Sequence, residues 1–158
     1  MINCLNAIAS FDQKNVKGTV IFHQCKNTLG SYVIFNLYNL VPNSENAIHI
    51  HEYGDVRNGC TSLGGHWNPH NTTHGTIWQK NMQRHAGDLI NNIYADEKGT
   101  FYFKYYDPLI SIKNIYGRSV VIHAKKDDLG LGNNAESLVT GNAGNRIACA
   151  IIGRASTN

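Results

Sequence analysis

Apolar residues along the chain come in short runs of strand length, broken by turn-forming Gly, Asn and Asp. Residues 2–9, 16–24 and 31–37 are rich in Ile, Val, Phe and Tyr, and 47–51 is a shorter run of the same kind. Each reads as a β-strand. Segments 88–95 and 100–106 flank the turn sequence Asp96-Glu97-Lys98-Gly99, which predicts a hairpin. Residues 119–124 are β-branched, and 147–152 close the pattern. Between the strands lie two long segments, from Glu52 to about Arg84 and from Asp127 to Asn145. They are rich in Gly and Asn and follow neither a two-residue nor a helical period. Eight short strands and no helical period predict an all-β sandwich or barrel.

Composition narrows the class. The chain has 158 residues, which predicts one domain spanning 1–158 with a substantial core. Only 16% of residues are charged, against about 25% in ordinary proteins, which argues against a disordered tail or coiled coil. Lys+Arg 14 and Asp+Glu 11 leave a net charge of +3, too small and too scattered for a nucleic-acid surface. No apolar run approaches the ~18 residues of a membrane span. The first residues, Met1-Ile2-Asn3-Cys4-Leu5-Asn6, lack a basic region followed by an apolar stretch, so a cytoplasmic protein is expected. Cys4, Cys25, Cys60 and Cys149 form no C-x-x-C pair, and buried free thiols are the default in that compartment.

The histidines supply the candidate chemistry. His49-Ile50-His51 lies on a predicted strand, where positions i and i+2 share a face, so both imidazoles can reach one ion. His66, His74 and His85 fall in the first long segment, Asp88 follows His85 by three residues, and His123 ends a strand. Only His23 and His70 stand outside this set. Two structureless segments in a compact domain need something to tie them down, and metal ligation does so. Six His and one Asp give seven donors, whereas two four-coordinate ions need eight. Either a water fills the last position or one imidazole binds through both nitrogens. An all-imidazole set suits Cu(II); three imidazoles and a carboxylate suit Zn(II).

The stretches His49-Ile50-His51-Glu52-Tyr53-Gly54-Asp55, Gly59-Cys60-Thr61-Ser62, Gly65-His66-Trp67-Asn68-Pro69, Arg84-His85-Ala86-Gly87-Asp88-Leu89, His123-Ala124-Lys125-Lys126-Asp127-Asp128-Leu129-Gly130 and Thr140-Gly141-Asn142-Ala143-Gly144-Asn145-Arg146-Ile147-Ala148-Cys149 occur in this order. Together they resemble the copper/zinc superoxide dismutase family, closest to its eukaryotic cytosolic branch. The resemblance implies an eight-stranded Greek-key β-barrel with two long functional loops. It implies copper on His49, His51, His66 and His123, zinc on His66, His74, His85 and Asp88, and His66 as the bridge. Asp127 is then the carboxylate joining His49 to His74, and Cys60–Cys149 an intrasubunit disulfide. Cys4 and Cys25 have no counterpart and are expected to be free thiols. The implied reaction is dismutation of superoxide by Cu(II)/Cu(I) cycling, with His66 carrying a proton and Arg146 attracting the anion. Lys125, Glu136 and Thr140 are the implied steering and rim residues. A homodimer and a copper chaperone are the implied partners.

The chain departs from the family pattern in three places. His74 and His85 are two residues further apart than usual, and Gly75-Thr76-Ile77-Trp78-Gln79-Lys80 replaces a Gly-Gly-Pro start. Ala135 stands where an acid is common, and Val139 where Lys is common. The competing reading is a copper-binding chaperone or metal buffer, but a Cys-rich transfer motif is missing. An inactive decoy would lose a copper His or the Arg, and a zinc hydrolase would need an open zinc position.

Overall fold

The computed structural model of the chain describes residues 4–79 and 83–156. Ile2 and Asn3 of the expected first strand, and Lys80 of the divergent loop, lie outside the described residues. The strands are β1 (Cys4–Gln13), β2 (Val16–Cys25), β3 (Ser31–Tyr38), β4 (Glu45–His51), β5 (Asn92–Tyr94), β6 (Phe101–Asp107), β7 (Ser119–His123) and β8 (Arg146–Arg154). They form one antiparallel sheet in the order β5-β4-β7-β8-β1-β2-β3-β6. Tyr94 of β5 and Phe101 and Phe103 of β6 line one shallow cleft, so the two edges face each other across a nearly closed barrel.

β3 shows why these segments are strands. Ser31, Val33, Phe35 and Leu37 are buried, while Tyr32, Asn36 and Tyr38 face out, the two-residue alternation of a sheet with one wet face. β4 and β7 differ, being buried on both faces. Ile48, Ile50, Val120 and Ile122 point into the main core, while Val121 packs outward with Leu63 and Cys149 beneath the long loops. The same alternation sends His49, His51 and His123 to the outer, loop-covered face.

Three expectations need correcting. Segments 88–95 and 100–106 are not a hairpin: β5 pairs with β4, and β6 pairs with β3. The turn itself forms, with Asp96 Oδ1 accepting from the amides of Lys98 and Thr100. It is docked on the β3–β4 connection, however, through Leu40 N to Gly99 O, Asn43 N to Asp96 O and Ala95 N to Ser44 O. That docking hands the two flanks to different neighbours. Short helices, α1 (Ile112–Ile115) and α2 (Ser137–Thr140), occur where no helical period was visible, since one turn is too short to show one. Cys4 and Cys25 are disulfide-bonded rather than free. They face each other in the β1–β2 register with Cα atoms 3.9 Å apart, and a compartment rule says nothing about such a juxtaposition. Cys60 and Cys149 form the second disulfide.

Candidate metal centre

β4 and β7 lie side by side, with His49 opposite Val121 and His51 opposite Ser119. His66 arrives from the first loop through an isolated bridge to His51 and through Trp67 N donating to Ile50 O. One nitrogen from each of His49, His51, His66 and His123 lies within 4.8 Å of the others. His51 Nε2 and His123 Nε2 are 3.2 Å apart. A second set, His66, His74, His85 and Asp88, meets the same limit. Around Asp88 Oδ1 the Nδ1 atoms of His66, His74 and His85 stand at 3.0, 2.9 and 3.1 Å. The Nδ1 atoms of His66 and His85 are 3.4 Å apart. Tetrahedral zinc with bonds of roughly 2.0–2.2 Å puts its ligands about 3.3 Å from one another, so the spacing fits.

The two sets share His66, whose Nδ1 faces the second set. Its Nε2 is buried and, among the described residues, has no hydrogen-bond partner, and the same is true of His49 Nδ1. A buried polar atom left unpaired costs about 1–3 kcal/mol. A cation at the meeting point of these lone pairs removes that cost. Protonation does not. Burial foremost, with repulsion from the neighbouring His66, holds His49 and His51 well below their usual range. Burial likewise lowers His66, and brings His123 down to about 4. Four neutral imidazoles with inward lone pairs suit copper, and three imidazoles with a carboxylate suit zinc.

Asp127 connects the two sets. Its Oδ2 is 2.6 Å from His49 Nε2 and its Oδ1 is 2.9 Å from His74 Nε2. Burial pushes His74 down, but hydrogen bonds to Asp127 and Asp88 outweigh it and lift His74 to about 9. Burial pushes Asp127 and Asp88 up, and their histidine partners more than reverse this, leaving both below the usual carboxylate range. Two flanking carboxylates thus favour the charged ring of metal-free His74, and a metal would take the place of the proton on Nδ1. Gly141, at φ +64, permits this approach: a Cβ there would lie 2.4 Å from Asp127 Oδ1 and 2.5 Å from His74 Nε2.

The supporting roles of several residues carried no signal in the sequence. Asn92 and Asp127 exchange two hydrogen bonds, and Asn91 donates to Gly75 O and to Asp127 Oδ2. Arg84 is almost fully buried, pairs with Asp107 at 2.6 Å and donates to His85 O, fastening the loop to β6. In the lengthened segment Gly75 N donates to Asp88 Oδ2, and Thr76 and Gln79 close a turn, so the divergence does not carry His74 away from the set.

A cleft of about 410 Å³ opens over the first set, lined by His51, His66, His123, Lys125, Glu136, Thr140 and Arg146. Arg146 donates to the carbonyls of Cys60, Thr61 and Gly64. Thr140 Oγ1 donates to Glu136 Oε1 at 2.7 Å. Val139, on α2, is exposed.

A nearly closed antiparallel barrel with two abutting ligand sets that share one imidazole defines a metalloprotein for a pair of unlike cations. The family model described as copper/zinc superoxide dismutase matches residues 16–152. The Cu-Zn superoxide dismutase of Paramecium bursaria Chlorella virus 1 is 48% identical over 146 residues, covering 90% of this chain and 75% of that protein. That of Saccharomyces cerevisiae is 45% identical, covering 87% of this chain and 90% of its own. A solved structure titled as the clock protein EA4 superposes with a TM-score of 0.86 at 36% identity, covering 94% of this chain and 93% of that one. The chain belongs to the copper/zinc superoxide dismutase family, an oxidoreductase family whose cofactors are copper and zinc.

Proposed function

We propose that the chain, as a single domain, dismutates superoxide, with His49, His51, His66 and His123 holding copper and His66, His74, His85 and Asp88 holding zinc. The observation that carries this is the shared His66, with unpaired nitrogens buried beneath a cleft that holds Arg146. Two superoxide anions and two protons become one dioxygen and one hydrogen peroxide. Bound copper supplies the one-electron couple, and zinc supplies fixed charge and geometry. With zinc on its Nδ1, the His66 ring would be neutral on taking a proton at Nε2, and that atom is where the protein would hold and release one. Arg146, fixed by three carbonyls, draws the small anion into the cleft, and Lys125 adds positive potential there. Glu136 and Thr140 shape the rim.

The finer readings follow the family. Exposed Tyr53 and Ile151 supply apolar surface for a homodimer. Copper reaches the buried imidazoles from a copper chaperone, and the chain works in the cytoplasm. Metal analysis paired with a dismutation assay tests the central reading: one copper and one zinc per chain, with activity. A loaded protein without activity supports a metal buffer instead. Arg146→Ala should slow dismutation about tenfold and flatten its dependence on salt, since steering weakens as ionic strength rises. An unchanged rate-versus-salt curve removes Arg146 from that role.

Asp127→Asn should weaken zinc binding by about 10–100-fold, the usual cost of losing the group that orients a ligand. His74 should also titrate below 9 in the metal-free variant, because one of its two carboxylates is gone. Zinc competition with a chelator and NMR titration of the His74 ring measure the two effects. Unchanged zinc affinity would remove Asp127 as the organiser.

A further inference from the structure

We propose that Cys4, His23 and Cys25 form a third metal site, opened by reduction of the Cys4–Cys25 disulfide, that takes zinc through two thiolates and one imidazole. One ligand atom from each of the three residues lies within 4.8 Å of the others. The site shares no residue with the copper and zinc sets. It stands on β1 and β2, which β8 separates from β7 and β4 in the sheet.

A chain of hydrogen bonds aims the imidazole. Asn6 Nδ2 donates to Ser156 O at 2.9 Å, which fixes the side-chain amide and turns its Oδ1 toward His23. That oxygen can only accept, and it lies 2.6 Å from His23 Nδ1, so Nδ1 carries the proton. Nε2 is then a lone pair, 3.3 Å from Cys25 Sγ. A disulfide sulfur has no proton to offer it. Imidazoles that bind metals are held this way, with the far N–H donated to an oxygen so that the near nitrogen is free. Reduction supplies what the lone pair lacks: two sulfurs able to share a cation with it. The disulfide is part-buried and lines a cleft of about 410 Å³ together with Lys26 and Lys113. Access suits thiol exchange, and nearby cations favour the thiolates that bind zinc.

The steps balance. A water-soluble phosphine gives two electrons and becomes its oxide with oxygen from water, the Sγ–Sγ bond breaks, and each sulfur takes a proton. Zinc then displaces both protons and binds two thiolates and Nε2, with water in the fourth position.

The experiment uses the copper- and zinc-loaded protein. It is reduced by the phosphine under argon, desalted, titrated with zinc and weighed by native mass spectrometry. One additional zinc per chain is expected after reduction and none before. Cys4→Ser/Cys25→Ser should lose that zinc, whereas zinc bound by a reduced Cys60–Cys149 pair would persist in this variant. His23→Gln keeps both cysteines and should bind the third zinc at least about tenfold more weakly. Equal zinc uptake by the reduced wild type and the double variant overturns the proposal. So does unaltered affinity in His23→Gln, or a Cys4–Cys25 bond that the phosphine leaves intact.

Discussion

His123→Ala should abolish dismutation while the protein still holds zinc. His123 stands 3.2 Å from His51 Nε2 and belongs to the four-imidazole set, but it takes no part in the Asp88 set. Losing a group one step removed from a metal typically costs about 10–100-fold, and losing the ligand itself exceeds that. His123 is 4% exposed, so its removal leaves a gap beneath the cleft and one nitrogen fewer in the four-imidazole set. The zinc set is untouched: His66 Nδ1, His74, His85 and Asp88 keep their mutual spacing. Metal analysis should therefore find one zinc, little copper and background activity. A variant that still dismutates would take His123 out of the copper set and, with it, the division of the site into two.

The strands were legible because turn residues punctuate β-branched runs, and the alternation in β3 and the H-x-H of β4 are local facts. Their partners were not. Asp96-Glu97-Lys98-Gly99 makes the expected turn, yet its flanks separate because Leu40, Asn43 and Ser44 hold the turn from outside. A turn sequence specifies the reversal, not the neighbour. The disulfide of Cys4 with Cys25 failed for a related reason. Their proximity depends on β1–β2 register over ten paired positions, while the free-thiol expectation rested on compartment and on the lack of a counterpart in the family pattern. The ligand set was visible as an excess of His in segments without structure, and counting donors reached the choice between a bridge and a water. Choosing needed the resemblance. The structure adds a physical ground for the bridge: both sides of one ring face a ligand set, and its Nε2 has no other partner among the described residues. Asn91, Asn92 and the Arg84–Asp107 pair stayed hidden, since nothing about an Asn or an Arg in sequence marks it as the holder of another side chain.

Cys149→Ser should lower the stability of the metal-free protein by about 4–5 kcal/mol and cut activity in the loaded one. The disulfide joins residues 89 apart, and closing a loop of that length removes about that much conformational freedom from the unfolded chain. For a domain of this size the loss corresponds to a fall in Tm of roughly 8–20 °C. Working without metals matters, because ligands bound only by the folded state would mask part of the change. The activity effect comes through Arg146. Its guanidinium donates to Cys60 O, Thr61 O and Gly64 O, all on the segment that the disulfide pins to β8. Released, that segment no longer fixes the cation over the cleft, so the variant's salt dependence should flatten as in Arg146→Ala. The other disulfide provides the comparison. Cys4 and Cys25 are only 21 apart, so Cys25→Ser should cost about 3 kcal/mol by the same reasoning and leave the salt dependence alone. Calorimetry and stopped-flow rates across a salt series separate the cases. Equal losses of stability would sink the loop-length account, and an undisturbed salt curve in Cys149→Ser would show that Arg146 keeps its perch without the bond.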